Sequence, residues 1–456
     1  MKENLLVNRR TTKFFVEKVL SRMEDDPSGE MAKILEYGNK LGAFGPHRFD
    51  DAIEIVKDKN QKWTQYAERV YHEIDRHILV QHLLNVGYEA SFAKQGLRQE
   101  WREKLDANVP WTILFDPTSA CNLHCTGCWA GKYGLKLNLS YEEMGSIVTQ
   151  GKELGIYFYL MTGGEPLVRK DDILKLAEKH NDVAFHIFTN GTLIDEPFAE
   201  AVRKVGNISF ALSLEGWDEE NDARRGEGSA QRVREAMRLM KREGLLFGLS
   251  VCYTSMNYKT VTSDAFLDSI IEDGARLIWY FHYMPVGADP ALNLLLSPEQ
   301  REYMIHRVRE IRSVDGGKPI VAIDFQNDGE FIHGCIAGGK DYMHINANGD
   351  VEPCVFIHYS DANIREMSIK EALQQPLFQE YRKNQPFNKN HLRPCPMLEN
   401  PGMLTKMVEA SGAHPTDLTD PMSADALCQR CHEYARLWSK PAQEIREELD
   451  REKAVQ

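Results

Sequence analysis

Between residues 110 and 285, apolar segments of strand length alternate with amphipathic segments of helical length. Such an alternation predicts a parallel sheet whose strands are joined by right-handed helical crossovers. Because the strands are continuous apolar runs, we expect both faces of the sheet to be covered. A partial barrel and a doubly wound open sheet both satisfy this pattern. The six strand-like segments are WTILFDPT, YFYLMTGG, AFHIFTNG, ISFALSLEG, LFGLSVCYT and RLIWYFHYMPV.

The regions on either side of this alternation have different patterns. In residues 1–105, apolar side chains recur at intervals of three and four residues, which predicts helices. We expect these helices to form an N-terminal cap on the next domain, with a substrate lid or a docking element for a partner as the alternative. In the segment YMHINANGDVEPCVFIHY, Asn348-Gly349 predicts a β-hairpin with a tight turn. We therefore expect an α/β domain at 106–318 and a small irregular C-terminal domain at 319–456.

The net charge and the hydropathy pattern limit the classes of binding partner and the cellular locations that we expect. The 456-residue chain carries a formal net charge of −13 and nine cysteines. This charge argues against a nucleic-acid partner, because binding to the phosphate backbone depends on clustered Lys and Arg. The segment MKENLLVNRRTTKF lacks the apolar core of a signal peptide, and the most apolar later stretch is broken by Pro285 and Pro290. We expect a cytoplasmic protein with no membrane span and no disulfide framework.

Three cysteines, Cys121, Cys125 and Cys128, follow the first predicted strand with the spacing Cys-x3-Cys-x2-Cys. Active sites in parallel α/β folds lie at the carboxyl ends of strands. A structural zinc site would need a fourth ligand, and His124, which lies between two of the cysteines, would strain a tetrahedron. A redox disulfide would leave the third cysteine unexplained. Three thiolates suit a 4Fe–4S cluster with one open iron, since four thiolates normally hold such a cluster.

This spacing at the end of a first strand resembles the signature of the radical S-adenosylmethionine (radical SAM) enzymes. The later strand ends agree with it, in the order MTGGEP, FTNG and SLEG followed by NDARRG. The resemblance implies a partial (β/α)6 TIM-like barrel. Two positions depart from the family pattern: Gly127 stands where an aromatic residue is frequent, and Asn221 where a histidine is frequent. The implied S-adenosylmethionine contacts are Gly163, Gly164, Glu165, Pro166, Asn190, Ser213, Glu215 and Arg225.

The resemblance also implies a reaction. An external one-electron reductant of flavodoxin or ferredoxin type reduces the 4Fe–4S cluster, and S-adenosylmethionine bound at the open iron is cleaved to a 5′-deoxyadenosyl radical. That radical removes a hydrogen atom from an unidentified substrate, either a peptide or protein side chain or a small metabolite. No catalytic acid or base is assigned. A non-catalytic iron–sulfur electron carrier or redox sensor and a radical SAM methyltransferase are the alternatives.

The C-terminal region contains five cysteines, beginning with the pattern Cys-x13-Gly-x4-Cys. This pattern is similar to the opening of SPASM and twitch extensions, which hold auxiliary iron–sulfur clusters. Because a full SPASM pattern has seven cysteines for two clusters, five imply one auxiliary cluster, as an electron acceptor or a substrate anchor. A zinc-bound hairpin and unligated thiols are the alternatives, and the completing ligands among the last three cysteines stay open. The five are Cys335, Cys354, Cys395, Cys428 and Cys431.

Four other side chains are candidates for further roles, and a ninth cysteine is not. His282 and Tyr283 end the sixth predicted strand and are candidates for pocket lining or for the core. Asp324 and Asp328 are candidate bases, although a hydrogen-bonded loop carboxylate is the commoner case. Cys252, in an apolar strand, is expected to be an ordinary buried thiol.

Overall fold

The N-terminal region consists of helices, as predicted, and its described residues contain no strand. The end of one predicted helix, residues 42–44, lies outside the described residues. The helical segments are α1 (Arg9–Arg22), α2 (Pro27–Leu41), α3 (Asp50–Lys57), α4 (Lys62–Glu73), α5 (Arg76–His82), a π-helical segment (Leu83–Ala93) and α6 (Gln95–Leu105). The computed structural model describes residues 8–24, 26–41, 50–131, 137–287 and 289–455.

A nine-stranded sheet forms the centre of the fold. Its strands are β1 (Thr112–Phe115), β2 (Phe158–Met161), β3 (Ala184–Thr189), β4 (Ile208–Ser213), β5 (Phe247–Tyr253), β6 (Leu277–His282), β7 (Val321–Asp324), β8 (Tyr342–Ile345) and β9 (Val351–Glu352). They lie in the order β7-β6-β5-β4-β3-β2-β1-β8-β9, and every neighbouring pair from β7 to β8 is parallel. This mostly parallel sheet confirms the predicted partial TIM-like fold class.

Helices connect the parallel strands, and local signals fix several of their ends. Ser140 begins one helix in a capping box with Glu143. Asp195 caps another, which ends at Gly206 with a φ of +79°. The connecting helices are α7 (Tyr141–Glu153), α8 (Lys170–Lys179), α9 (Glu196–Val205), α10 (Asp218–Arg225), α11 (Ser229–Arg242), α12 (Asp264–Glu272) and α13 (Pro298–Arg312).

The sheet contains strands beyond the six that the sequence predicts. β7 pairs with β6 and continues the sheet past residue 318, where the expected barrel domain ends. β8 pairs with β1, with Ile345 opposite Phe115, and then turns back antiparallel onto β9. Gly349 in this turn has a φ of +86°, so the predicted hairpin is confirmed. β8 is very short and its parallel partner, β1, lies far away in the chain, so local periodicity does not reveal this pairing.

The C-terminal region packs in an apolar cluster that includes the completely buried Trp438 and also barrel side chains such as Leu114 and Leu160. Its elements are β10 (Tyr359–Ser360), α14 (Ile369–Ala372), α15 (Pro376–Asn384), α16 (Pro401–Ser411), β11 (His414–Pro415) and α17 (Ala424–Val455). Within the described ranges, no helix has the length and apolar character needed to cross a bilayer.

Candidate active site and auxiliary site

The cysteine loop (residues 119–131) follows the carboxyl end of β1. Cys121, Cys125 and Cys128 are free thiols that line one cavity of about 260 Å³, which we call the barrel cavity. The Leu123 amide donates to the Sγ of Cys121 at 3.4 Å, and the Cys128 amide donates to the carbonyl of Cys125 at 3.3 Å. The structure therefore brings the three predicted cluster ligands to the wall of a single cavity.

Two glycines after β2 lie against the backbone of the cysteine loop. The Gly164 amide donates to the Thr118 carbonyl at 2.9 Å, and the Glu165 amide donates to the Ala120 carbonyl at 2.8 Å. A Cβ at Gly164 would lie 2.2 Å from that Ala120 oxygen, and Gly163 has a φ of +109°. Close approach of two protein segments therefore requires both glycines, in addition to their place in the cavity wall.

The buried carboxylate of Glu165 is fully engaged within the protein. Its Oε1 accepts from the Leu167 amide at 3.0 Å and the Thr189 hydroxyl at 2.6 Å, and its Oε2 accepts from the Asn190 amide at 2.7 Å. Burial raises the pKa of Glu165, and these hydrogen bonds oppose the rise. The Asn190 side chain donates in turn to Asn122 Oδ1 at 2.8 Å. Glu165 and Asn190 thus join β2, β3 and the cysteine loop.

Glu215, just beyond β4, holds two arginines of α10. Its Oε1 accepts from Arg225 Nη2 at 2.6 Å and also from Arg224 Nη1. Burial by itself raises the pKa of Glu215, but the two guanidiniums outweigh burial and keep the pKa below its ordinary value. Arg225 Nη1 lies 3.9 Å from the Sγ of Cys125. The resemblance implies that Glu215 contacts S-adenosylmethionine; in the structure its carboxylate lies buried against the two arginines, which line the cavity.

Most residues predicted to contact S-adenosylmethionine share the cavity with the cysteines. Pro166 instead begins a 3-10 turn, and Glu215 pairs with the arginines. Those that line the barrel cavity are Gly163, Gly164, Glu165, Asn190, Ser213 and Arg225.

Arg224, Cys252 and most of the aromatic lining of this cavity are not among the residues that the sequence predicts for the site. Arg224 directly precedes Arg225 in the NDARRG motif, so the same motif could have predicted Arg224 as a site residue. Cys252 was expected to be an ordinary buried thiol, but it lines the cavity, and burial raises its pKa to about 11. Side chains alternate between the two faces of β5, so Ser250 and Cys252 lie on the same face of the strand. This alternation is the sequence signal that could have placed Cys252 at the cavity.

Aromatic side chains make up much of the cavity wall. Trp279 and Phe281 of β6 lie with their ring planes 4° apart and their centroids 6.0 Å apart. Phe188 of β3 contacts both rings edge-on, at 5.8 and 5.9 Å. A wall of this kind suits an apolar or ring-containing group. The aromatic lining residues are Trp111, Trp129, Phe158, Phe188, Trp279, Phe281, Tyr283, Phe325, Tyr342 and Phe356.

His282 and Tyr283 both line the barrel cavity. The Nδ1 of His282 lies 2.7 Å from the carbonyl of Tyr283, and its Nε2 lies 2.9 Å from the hydroxyl of Tyr434. Burial lowers the pKa of His282 to about 3, so the ring is neutral at physiological pH. Both ring nitrogens are therefore engaged in structural contacts.

The two candidate bases have structural partners. Asp324 accepts from the Tyr253 hydroxyl at 3.0 Å, and burial raises its pKa to about 6. Asp328 accepts two bonds from the Arg312 guanidinium, at 2.7 and 2.6 Å. These contacts are typical of hydrogen-bonded loop carboxylates rather than of a free base.

Cys335, Cys354 and Cys395 line a second cavity of about 50 Å³, which we call the auxiliary cavity. Each thiol accepts a bond from a backbone N–H two or three positions later in the chain. The hydroxyl of Tyr342 also donates to the Sγ of Cys354, at 2.7 Å. Donors around sulfur favour the thiolate form that binds iron. The backbone donors are Ala337, Phe356 and Leu398.

Cys428 and Cys431 lie one turn apart on α17, and both are completely buried. Cys428 makes a hydrogen bond with Thr405 of α16. Both belong to the same apolar cluster as the other three C-terminal cysteines, but in the described chain they do not line the auxiliary cavity. Three of the five predicted auxiliary ligands therefore converge, and Cys428 and Cys431 are the candidates for the fourth.

The barrel cavity and the auxiliary cavity share part of their walls. Tyr342 spans this shared layer, because it lines both cavities and its hydroxyl contacts the Sγ of Cys354. One layer of side chains therefore separates the two cavities. The shared residues are Met284, Phe325, Ile336, Tyr342 and Phe356.

Both groups of cysteines fit iron–sulfur clusters better than single metal ions. Among the described residues, no group of three or more His, Cys, Asp or Glu side chains is arranged to hold one ion. A cluster spreads its thiolate ligands more widely than one ion does. Burial raises the pKa of Cys335 to about 12 and that of Cys354 to about 11, so these thiols ionise only beside strong positive charge, which iron supplies.

Fold and site together define a partial TIM-like barrel with a cysteine-lined cavity and a separate auxiliary cysteine site. Residues 115–270 match the radical SAM superfamily, and residues 335–396 match the iron–sulfur cluster-binding domain called SPASM. The chain therefore contains a radical SAM domain followed by a SPASM domain. Domains of these kinds imply a 4Fe–4S cluster with S-adenosyl-L-methionine, and auxiliary iron–sulfur clusters.

Three known proteins illustrate the similarity. Fe-coproporphyrin III synthase of Methanosarcina barkeri is 26% identical over 230 residues, which cover 48% of this chain and 57% of that protein, less than two thirds of its length. PqqA peptide cyclase of Granulibacter bethesdensis is 28% identical over 297 residues, which cover 60% of this chain and 76% of that protein. The crystal structure of Streptococcus suis SuiB matches with a TM-score of 0.54 and 18% identity, over 72% of this chain and 78% of that one, a likeness of fold alone.

Proposed function

We propose that this protein is a radical SAM oxidoreductase that acts on a substrate held in the barrel cavity. The observation that supports this most directly is one continuous cavity, lined both by Cys121, Cys125 and Cys128 and by the aromatic wall. When bound, the cluster and S-adenosylmethionine supply the reductive carbon–sulfur cleavage that yields methionine and the hydrogen-abstracting 5′-deoxyadenosyl radical. A mere electron carrier has no use for a substrate-sized cavity beside its cluster.

In this proposal, different groups of residues hold the carboxylate, the ribose and the amino group of S-adenosylmethionine. Arg225 and its neighbour Arg224 present guanidiniums to the methionine carboxylate, and Glu215 fixes both of them in place. Ser213, at the end of β4, lines the cavity and would hold the ribose. The Gly163-Gly164 segment offers backbone groups to the amino group without side-chain interference. Glu165 and Asn190 position the surrounding segments rather than the cofactor itself.

The lining of the cavity supports a substrate with an apolar, ring-containing group. Aromatic side chains exclude water and favour flat or apolar partners. Arg224 and Arg225 already share a buried carboxylate, so they suit the cofactor carboxylate better than a phosphate-rich substrate. The described N-terminal region is helical, without the strands of a winged-helix module for a leader peptide. The reacting group belongs to a small metabolite or to a side chain of a short peptide.

An iron–sulfur cluster held by Cys335, Cys354 and Cys395 would supply an acceptor for the electron left on the substrate after hydrogen abstraction. The single layer of side chains between the two cavities supports this role, because electron transfer weakens steeply with distance. The same layer opposes a role as a substrate anchor, since Phe325, Tyr342 and Phe356 stand between the substrate cavity and the auxiliary cysteines. An external flavodoxin- or ferredoxin-type donor supplies the electron that begins each turnover.

Anaerobic reconstitution tests the proposal. Protein loaded with iron and sulfide is treated with dithionite and S-adenosylmethionine, and we expect 5′-deoxyadenosine and methionine by mass spectrometry. Cys125→Ala should abolish both products. S-adenosylhomocysteine as the product would indicate methyl transfer, and no product at all would indicate an electron carrier.

Fractionated cell extract tests the substrate class. Fractions from a reversed-phase column are added to the reaction, and 5′-deoxyadenosine formation is compared with the basal rate. We expect stimulation by retained, apolar fractions. Stimulation confined to the unretained, polar fraction would contradict an apolar substrate.

A further inference from the structure

Two buried hydrogen-bond donors line the auxiliary cavity. Tyr381 of α15 is completely buried, and among the described residues its hydroxyl has no hydrogen-bond partner. Gln326 is 5% exposed, and its Nε2 likewise has no partner within the described chain. Buried donors without an acceptor are rare in proteins because their desolvation is not compensated. Two such donors at one small cavity point to acceptors that bind inside it.

Neighbouring contacts hold both side chains in place. Gln326 Oε1 accepts from the His282 amide at 2.9 Å, which fixes the orientation of its carboxamide. Gly338 packs against the Tyr381 side chain, where an added Cβ would lie 2.4 Å from the Tyr381 Cβ. Neither donor is therefore free to turn toward another partner without breaking a packed contact.

Sulfur atoms share the auxiliary cavity with Tyr381. Three C-terminal cysteines line this cavity together with the Tyr381 side chain. A tyrosine hydroxyl keeps its proton at neutral pH, so Tyr381 can donate. Tyr342 already makes a contact of this kind, since its hydroxyl donates to the Sγ of Cys354 at 2.7 Å. The three cysteines are Cys335, Cys354 and Cys395.

We propose that Tyr381 and Gln326 donate hydrogen bonds to sulfur atoms of the iron–sulfur group in the auxiliary cavity and thereby raise its reduction potential. The inference rests on the auxiliary site of the proposed function. Reduction adds negative charge to the cluster, and a donor aimed at sulfur stabilises that charge. Both residues are positioning residues: they set the reduction potential of the auxiliary site and do not bind its iron.

A redox titration tests this assignment. The full-length Cys121→Ala/Cys125→Ala/Cys128→Ala protein is reconstituted, so that the remaining iron signal comes from the auxiliary site. Potentiometric titration followed by electron paramagnetic resonance then gives its midpoint potential. Tyr381→Phe and Gln326→Met are compared with this parent. The matched control is Tyr359→Phe, because Tyr359 is also buried but donates its hydroxyl to the Met422 carbonyl, at 2.9 Å.

We expect a more negative midpoint potential in both variants, with unchanged iron content and no shift in the control. Unchanged potentials in both variants, with the cluster intact, would overturn the inference while leaving the auxiliary site standing. Loss of iron from Tyr381→Phe would also overturn the inference, because the hydroxyl would then be needed to bind the cluster rather than to raise its reduction potential. A parent protein without auxiliary iron would remove the auxiliary site itself, and the inference with it.

Discussion

Arg301 Nη1 donates to Glu399 Oε1 at 2.7 Å, and both side chains are completely buried. Arg301 belongs to α13 of the barrel, whereas Glu399 Oε2 accepts from the amide of Cys395 at 2.7 Å. Arg301 also donates to the hydroxyl of Tyr434 on α17, at 3.1 Å. This pair therefore connects the barrel with the segment that carries one auxiliary cysteine.

Removing the charge of Glu399 should destabilise the protein strongly. Glu399→Gln leaves the Arg301 guanidinium buried without a counter-charge, and we expect a loss of about 3–5 kcal/mol in the free energy of unfolding. Denaturant unfolding of the iron-loaded protein measures this loss. Glu433→Gln is the control, since Glu433 and Arg436 form an exposed pair whose loss should change the stability little. Similar losses in the two variants would contradict a stabilising buried pair.

The stability of the protein should depend on the charge of His344. Its Nδ1 lies 2.6 Å from Glu352 Oε2, and its Nε2 lies 3.0 Å from Asp116 Oδ1. Burial by itself lowers the pKa of His344, but the two carboxylates outweigh it and raise the pKa from 6.5 to about 10. The folded state therefore binds this proton more tightly than the unfolded state does. The resulting stability is fully present below pH 6.5 and is lost as the pH rises through about 10.

Thermal midpoints between pH 6 and pH 10.5 test this dependence. We expect the difference in midpoint between the wild type and His344→Asn to shrink steadily as the pH rises through this range. A constant difference would show that His344 is neutral in the folded protein.

Iron content should separate the ligand cysteines from Cys252. We expect Cys395→Ser to lose the iron of the auxiliary site and to keep that of the cysteine loop, because Cys395 lines the auxiliary cavity. Cys252→Ser is the matched control, since Cys252 is a cavity thiol outside both ligand groups and should keep all the iron. Iron and sulfide assays on anaerobically reconstituted protein give the result. A full iron content in Cys395→Ser would exclude Cys395 as a ligand.

The Gly164→Ala variant tests the contact between β2 and the cysteine loop. Its Cβ would lie 2.2 Å from the Ala120 carbonyl oxygen, so the loop has to move away. We expect reduced iron binding at the cysteine loop and weaker S-adenosylmethionine binding by equilibrium dialysis. Gly96→Ala in α6 is the control: no atom lies within 4 Å of its added Cβ, and the change should raise helix stability by about 0.5–1 kcal/mol. Normal iron and ligand binding in Gly164→Ala would refute the close approach.

Local patterns in the sequence predict a parallel α/β fold, and the ordered motifs at the strand ends, through their resemblance to a known family, predict the partial barrel and its first cluster. The strand and helix alternation depends on neighbouring residues, and so does the hairpin turn at Asn348-Gly349. Cys121, Cys125 and Cys128 lie within one short segment, so their spacing alone indicated a shared ligand role. The six S-adenosylmethionine candidates that line the cavity follow strand ends, which parallel topology brings to one edge of the sheet.

Tertiary structure alone decided the contacts between distant segments. It paired β8 with β1, turned Glu215 toward Arg224 and Arg225, and left one layer of side chains between the two cavities. It also brought Cys395 to Cys335 and Cys354, although no spacing rule connects them. Periodicity and capping act over a few residues, whereas these contacts depend on how whole layers pack, and only the folded chain specifies that packing.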